Sequence, residues 1–248
     1  MDEIELKTLI QIIKNSNDIV FLTGAGVSTP SHIPDFRSPA SVNKVEETYH
    51  LPVEVILSLD YFYEHPDIFY DYYFRFMVHE AAKPNIIHQF IAKLTNQTHK
   101  NVTVVTQNID GLHEKACAKN VLTLHGTIFS NHCTHCFKSF DLNEVLKLKP
   151  IPHCPICQNI IKPDVVLYGE MLDQWTLDQS LKAILKADTL IVLGTSLRVY
   201  PASGLIRYFK GKNLVIINKE KTPYDEVATH VYHTSLESVF TKLDEYFF

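Results

Sequence analysis

The chain has 248 residues, 46% of them hydrophobic and 21% charged, which suits one large domain with a smaller insert and excludes a disordered or fibrous protein. With 23 basic against 28 acidic side chains, the net charge of −5 sets up no field for sequence-specific nucleic acid or for an anionic membrane. The longest apolar runs are strand-sized, and the acidic start Met1–Lys7 shows no secretory signal, so no membrane span and a cytoplasmic location are expected; a monomer is the expected state.

Ile4 to Asn15 predicts a helix with Leu6, Leu9, Ile10 and Ile13 on one face. Asp18 to Thr23 predicts a strand that runs into the turn Gly24-Ala25-Gly26. Residues 30 to 80 are loop-rich and then aromatic, with nine Phe or Tyr from Tyr61 to Phe76, and predict a helical hairpin packed by rings. Ile87, Phe90, Ile91 and Leu94 mark another helix, and Val102 to Thr106 a second strand. Leu177, Leu181, Ile184 and Leu185 mark a further helix, followed by strands at Thr189 to Leu193 and Leu214 to Ile217. Thr234-x-x-Glu237 reads as a capping box for a last helix that buries Leu236, Val239, Phe240 and Leu243. Strand and helix in alternation predict an α/β fold, a Rossmann-like parallel sheet covered on both faces. Residues 1–29, 81–127 and 163–248 are assigned to it. The smaller inserted domain combines the loop and helical module of residues 30–80 with a zinc-ribbon module at 128–162.

Cys133-x-x-Cys136 and Cys154-x-x-Cys157 are separated by 17 residues, a spacing that sets two thiolates on each of two facing turns. Four thiolates leave no open position, so one structural Zn2+ is expected; unmetallated turns or redox cysteines are the other reading of the pattern. His132, His135 and His153 are expected to be solvated. Cys117, in a helical stretch, is expected to be a small buried residue.

Gly24-x-Gly26 after a first strand suits a pyrophosphate at a helix amino terminus. It departs from the dehydrogenase fingerprint, because Thr29 stands where the third glycine belongs and no strand precedes Glu46 and Glu47. Hydride transfer is therefore not expected.

Thr23-Gly-Ala-Gly-Val-Ser-Thr29, Ile33-Pro-Asp-Phe-Arg37, Thr106-Gln-Asn-Ile-Asp110 with Gly-Leu-His113, and Leu124-His-Gly126 stand in that order. Behind them come the paired cysteines, Pro163-Asp-Val-Val-Leu-Tyr-Gly-Glu170, Gly194-Thr-Ser-Leu197 and Val215-Ile-Ile-Asn218. The set, over nearly the whole chain, closely resembles the motifs of the sirtuin family. The resemblance implies an NAD-dependent protein-lysine deacetylase or deacylase that moves the acyl group to ADP-ribose and releases nicotinamide. NAD would be the co-substrate and acyl-lysine proteins or peptides the partners. It implies cofactor contacts from Gly24, Ala25, Gly26, Thr29, Asp35, Phe36, Arg37, Gln107, Asn108, Ile109, Asp110, Gly194, Thr195, Ser196, Asn218 and Leu236. His125 would be the general base, with Asn108 and Asp110 completing the catalytic set. Val166, Leu167 and Tyr168 would bind substrate.

His32 stands where the family has glycine, and Tyr168 where it often has phenylalanine. Tyr72-x-x-Arg75 resembles the pair by which some sirtuins recognise acidic acyl groups such as succinyl. Mono-ADP-ribosyl transfer and a non-catalytic NAD sensor are the other functions weighed. The intact Leu-His-Gly and Tyr-Gly-Glu motifs favour deacylation.

Overall fold

The computed structural model describes residues 1–35 and 39–248, with residues 39–42 described by their backbone alone. Its principal sheet has six parallel strands: β1 (Asp18–Thr23), β2 (Asn101–Thr106), β3 (Val121–Thr123), and three further strands later in the chain. A second sheet of three antiparallel strands joins β4 (Gly126–Cys133), β5 (Ser139–Asp141) and β6 (Ile161–Val165) in the order β5-β4-β6. With β7 (Thr189–Leu193), β8 (Asn213–Ile217) and β9 (His230–Tyr232), the large sheet has the order β3-β2-β1-β7-β8-β9. Strand order therefore reverses between β1 and β7. In a doubly wound sheet the crevice for a ligand opens at that point, beyond the carboxyl ends of the strands.

The central strands read as unbroken apolar runs because both faces are covered. Phe21, Val104, Ile191 and Val215 pack on one side with the helices Glu3–Asn15, Ile86–Gln97 and Leu236–Phe247. Val20, Leu22, Val105, Val192 and Ile216 pack on the other with Ile184, Leu205 and Ile206. The first helix starts on an Asp2–Glu5 capping box, which satisfies first-turn N–H groups and sets an acidic residue at the positive end of the dipole.

The aromatic run forms the helices Leu59–Glu64 and Pro66–Tyr72, then a π-helical turn at Tyr73–Met77. Phe62, Phe69, Tyr70 and Tyr73 interlock edge to face and pack on Ile128, Val165 and Leu167 of the small sheet. The boundary expected at residue 163 falls inside β6, which pairs with β4.

Three local expectations are corrected. The last helix is capped at Ser235, without a side-chain hydrogen bond, so Thr234 does not form the capping box. Leu185 is 47% exposed, because the helix Gln174–Lys186 turns Ile184 rather than Leu185 to the sheet. Cys117 is exposed at a φ of 65°, just past the short helix Leu112–Lys115. A left-handed residue ending a helix turns its side chain off the core-facing stripe.

Candidate active site and metal centre

The sites are built where strands of the two sheets end. Gly24 and Gly26 follow β1, and Gly194 follows β7; the Gly26 N–H donates to the Gly194 carbonyl at 2.8 Å. A Cβ on Gly26 would lie 2.7 Å from the Gly194 Cα, so the two loops approach to a distance only glycine allows. Ala25 and Thr29 sit on successive 3-10 turns above this floor. The Thr29 hydroxyl donates to the Gly26 carbonyl at 3.1 Å.

Gln107, Asn108, Ile109 and Asp110 leave β2 as a half-buried segment. The Asn108 amide donates at 3.1 Å both to the Gly24 carbonyl and to the Ser28 hydroxyl. Ser28 in turn donates to Asp110 at 2.6 Å, and the Leu112 N–H reaches the other Asp110 oxygen at 2.9 Å. Burial pushes the Asp110 carboxyl above its ordinary range, against these two hydrogen bonds, which draw it down.

Gln107 donates to the Thr195 hydroxyl at 3.2 Å, while its carbonyl stands 3.1 Å from His125 Nδ1. A carbonyl only accepts, so Nδ1 carries the proton of the neutral ring and the basic lone pair is on Nε2. His125 precedes Gly126, where β4 begins. At Gly126 φ is 75°, and a Cβ would sit 1.8 Å from the Asp164 carbonyl, which is the physical reason a glycine follows this histidine. The His125 carbonyl accepts from the Val166 N–H at 3.0 Å. Leu167 is buried and Tyr168 is 43% exposed. The Tyr168 N–H donates to the Leu57 carbonyl at 2.9 Å, and the Tyr168 carbonyl accepts from the Leu59 N–H at 2.9 Å.

The structure thus brings His125, Gln107, Asn108, Asp110, Gly24 and Thr195 into one hydrogen-bonded crevice, with Val166 joined to it through the His125 backbone. Ser196 and Asn218 follow β7 and β8. The Asn218 side chain donates to the Glu220 carbonyl at 2.8 Å. Leu236 is buried in the core as the first residue of the last helix, where first-turn N–H groups have no partner within the helix. Asp35 is half-buried. Phe36 and Arg37 lie outside the described residues.

The sequence reading missed Ser28, the hydroxyl on which Asn108 and Asp110 both converge; its signal lay within the glycine-turn motif itself. It also missed Asn85. The Asn85 side chain caps the helix Ile86–Gln97 while donating to the Val27 carbonyl and the Ser31 hydroxyl at 2.9 and 2.8 Å. His32 has a φ of 63°, a left-handed position, which accounts for the family's use of glycine there.

At the metal centre the four Sγ atoms of Cys133, Cys136, Cys154 and Cys157 lie within 4.8 Å of one another. Thiolates at about 2.3 Å from one zinc in a tetrahedron lie about 3.8 Å apart, so the set fits that ion. Each Cys-x-x-Cys pair lies on a tight turn of the small domain, and His132, beside Cys133, is half-buried against the Asp164 carboxylate rather than solvated. His135 and His153 are exposed as expected.

The model of the Sir2 family matches residues 24–201. The chain belongs to the Sir2 family. A Clostridium acetobutylicum NAD-dependent protein deacetylase is 50% identical to this sirtuin over 95% of the chain and 96% of its own length. A Staphylococcus epidermidis NAD-dependent protein deacetylase is 45% identical over 98% of each chain. Among solved structures, a Sir2 protein with a p53 peptide and NAD+ superposes with a TM-score of 0.87, at 36% identity over 97% of this chain and 98% of that one. A Sir2 protein bound to a propionylated peptide superposes with a TM-score of 0.86 at 35% identity, over 98% of both chains.

Proposed function

We propose that this sirtuin is an NAD-dependent protein-lysine deacetylase whose general base is His125. The observation that carries the assignment is the Nδ1–carbonyl contact at 3.1 Å, which fixes the tautomer and leaves Nε2 as the basic nitrogen at the crevice. The glycine floor of Gly24, Gly26 and Gly194 would admit the pyrophosphate, with Ala25 and Thr29 beside it. Thr195, Ser196, Asn218 and the Leu236 backbone would hold the adenosine end. Asp110 would accept from the nicotinamide carboxamide, and Asn108 and Ser28 hold that carboxylate and the turn after β1 in register. Asp35, Phe36, Arg37, Gln107 and Ile109 complete the cofactor set. Bound there, NAD would supply a ribose carbon as acceptor for the acyl oxygen, with nicotinamide as the leaving group. His125 Nε2 takes the ribose hydroxyl proton, and such a base contributes about 10²–10⁴-fold in rate.

Val166–Tyr168 is the segment on which acyl-lysine peptides would dock. The buried rings of Tyr72 and Tyr73 and the side chains of Val165 and Leu167 form one apolar cluster beside it, which suits a neutral acyl chain. Arg75, the candidate for reading an acidic acyl group, pairs with Asp71 at 2.9 Å on the surface. Acetyl and its neutral homologues are therefore the proposed acyl class, in a monomer acting in the cytoplasm; among the described residues no helix is long and apolar enough to cross a membrane.

An acetyl-lysine peptide incubated with protein and NAD should lose its acyl group as nicotinamide appears. His125→Ala should stop both without unfolding the protein. Full turnover in that variant, or a gain of ADP-ribose mass on the target instead of acyl loss, would reject the assignment.

A further inference from the structure

Lys162 is a buried lysine whose side chain is 8% exposed. Its ammonium donates to the Pro163 and Val165 carbonyls at 3.2 and 3.0 Å and meets a Glu170 carboxylate oxygen at 2.8 Å. Those three acceptors use the donor capacity of an ammonium. The same Glu170 oxygen accepts from the Leu167 N–H at 2.8 Å, and the Glu170 N–H donates to the Leu167 carbonyl at 3.0 Å. Glu170 thus holds both backbone polar groups of Leu167, and Lys162 fixes Glu170 against the end of β6.

Burying an ion pair gains little stability over an apolar pair of the same shape, because desolvation offsets the attraction. What this pair does is geometric. It closes a loop from Val165 to Glu170, and inside the loop lies Val166–Tyr168. Val166 is in turn bonded to the His125 backbone, at 3.0 Å. A displacement of Glu170 moves Leu167 directly and reaches His125 through one further residue.

We infer that Lys162 and Glu170 are positioning residues for the acyl-lysine substrate: their ion pair sets the shape of Val166–Tyr168 and its distance from His125. The inference rests on the proposed deacetylase reading, with that segment as the peptide-binding one. Neither side chain touches the reacting atoms in this arrangement; both act through Leu167.

Steady-state kinetics with an acetyl-lysine peptide, together with calorimetric binding of that peptide, test this on the full chain. Lys162→Met should raise the peptide KM and Kd about tenfold or more, the cost of one charge-assisted contact, with the KM for NAD little changed. Glu170→Gln keeps an acceptor for the Leu167 N–H but loses the charge, and should move the peptide constants in the same direction. Lys162→Arg keeps the charge and should restore most of the affinity. Should Lys162→Met fail to fold, the Glu170→Gln and Lys162→Arg pair decides the question. An unchanged peptide Kd in Glu170→Gln, or an equal loss in kcat and in the NAD constant, would overturn the inference. Failure of the unmutated protein to deacetylate the peptide would instead overturn the functional reading beneath it.

Discussion

The Ser28 hydroxyl donates to the Asp110 carboxylate at 2.6 Å while accepting from Asn108 at 3.1 Å, so one hydroxyl on the turn after β1 organises two groups on the segment after β2. Removing it leaves a largely buried carboxylate with one protein donor fewer. A hydrogen bond to a charged group is worth about 1.5–3 kcal/mol. Ser28→Ala should therefore lower kcat/KM by roughly 10–100-fold. The hydroxyl also draws the Asp110 carboxyl down, so its loss lets the carboxyl rise further. If Asp110 acts as its charged form, the acid limb of the pH–rate profile should move to higher pH. Wild-type kinetics with an unmoved limb would separate Ser28 from the site.

Removal of the metal should act on the small sheet and not on the large one. Cys133 and Cys154 are fully buried, and around them Phe140, Val145 and Ile161 form a small core of their own. A core of that size does not hold a module together without the ion. Cys154→Ser, or exhaustive chelation, should release one equivalent of zinc by atomic absorption and open residues 126–165 to proteases. A zinc-free protein with an undiminished melting temperature would refute the structural role.

Acid should destabilise the protein through a buried imidazole pair. His88 and His113 are each buried, with ring centroids 4.7 Å apart. Burial pushes His88 down to about 2 and His113 to about 4. Unfolding frees both to titrate near 6.5, so below that pH the unfolded chain binds more protons than the folded one. Stability from this pair is complete above about pH 6.5 and falls toward pH 4, by up to about 1.4 kcal/mol per pH unit for each histidine. Guanidinium midpoints between pH 7 and 4.5, compared with those of His113→Asn, read the difference. Parallel curves for the two proteins would contradict it.

His32 should be a site where glycine stabilises. A non-glycine residue in the left-handed region costs about 1–2 kcal/mol, and the flexibility of glycine returns about 0.5–1. His32→Gly should then gain roughly 0.5–1 kcal/mol in urea unfolding. A clear loss would mean that the imidazole makes a contact worth more than the strain.

The parallel sheet was legible because β1, β2, β7 and β8 are apolar on both faces and alternate with amphipathic helices. The three-residue strands β3, β5 and β9 carry too little pattern to be read, and β6 contains a proline that breaks the strand signal. The thiolate set was legible from spacing alone, since ligands close in sequence are close in space. His125 was legible only through its motif. Ser28, Asn85 and the Lys162–Glu170 pair work through contacts formed by folding, in one case across 82 residues, and periodicity carries no trace of such pairs. Cys117 and Leu185 were misread for simpler reasons: Leu185 sits one position off the buried stripe of its helix, and Cys117 lies just past the end of a helix that stops at Lys115.

His125 occupies the junction of the two sheets. Its ring leans on Gln107, at the end of a large-sheet strand, and its carbonyl takes the Val166 N–H, on the continuation of a small-sheet strand. Sliding of one layer past the other cannot leave the imidazole where it was, so a motion that admitted a bulkier polypeptide would also shift the proposed base.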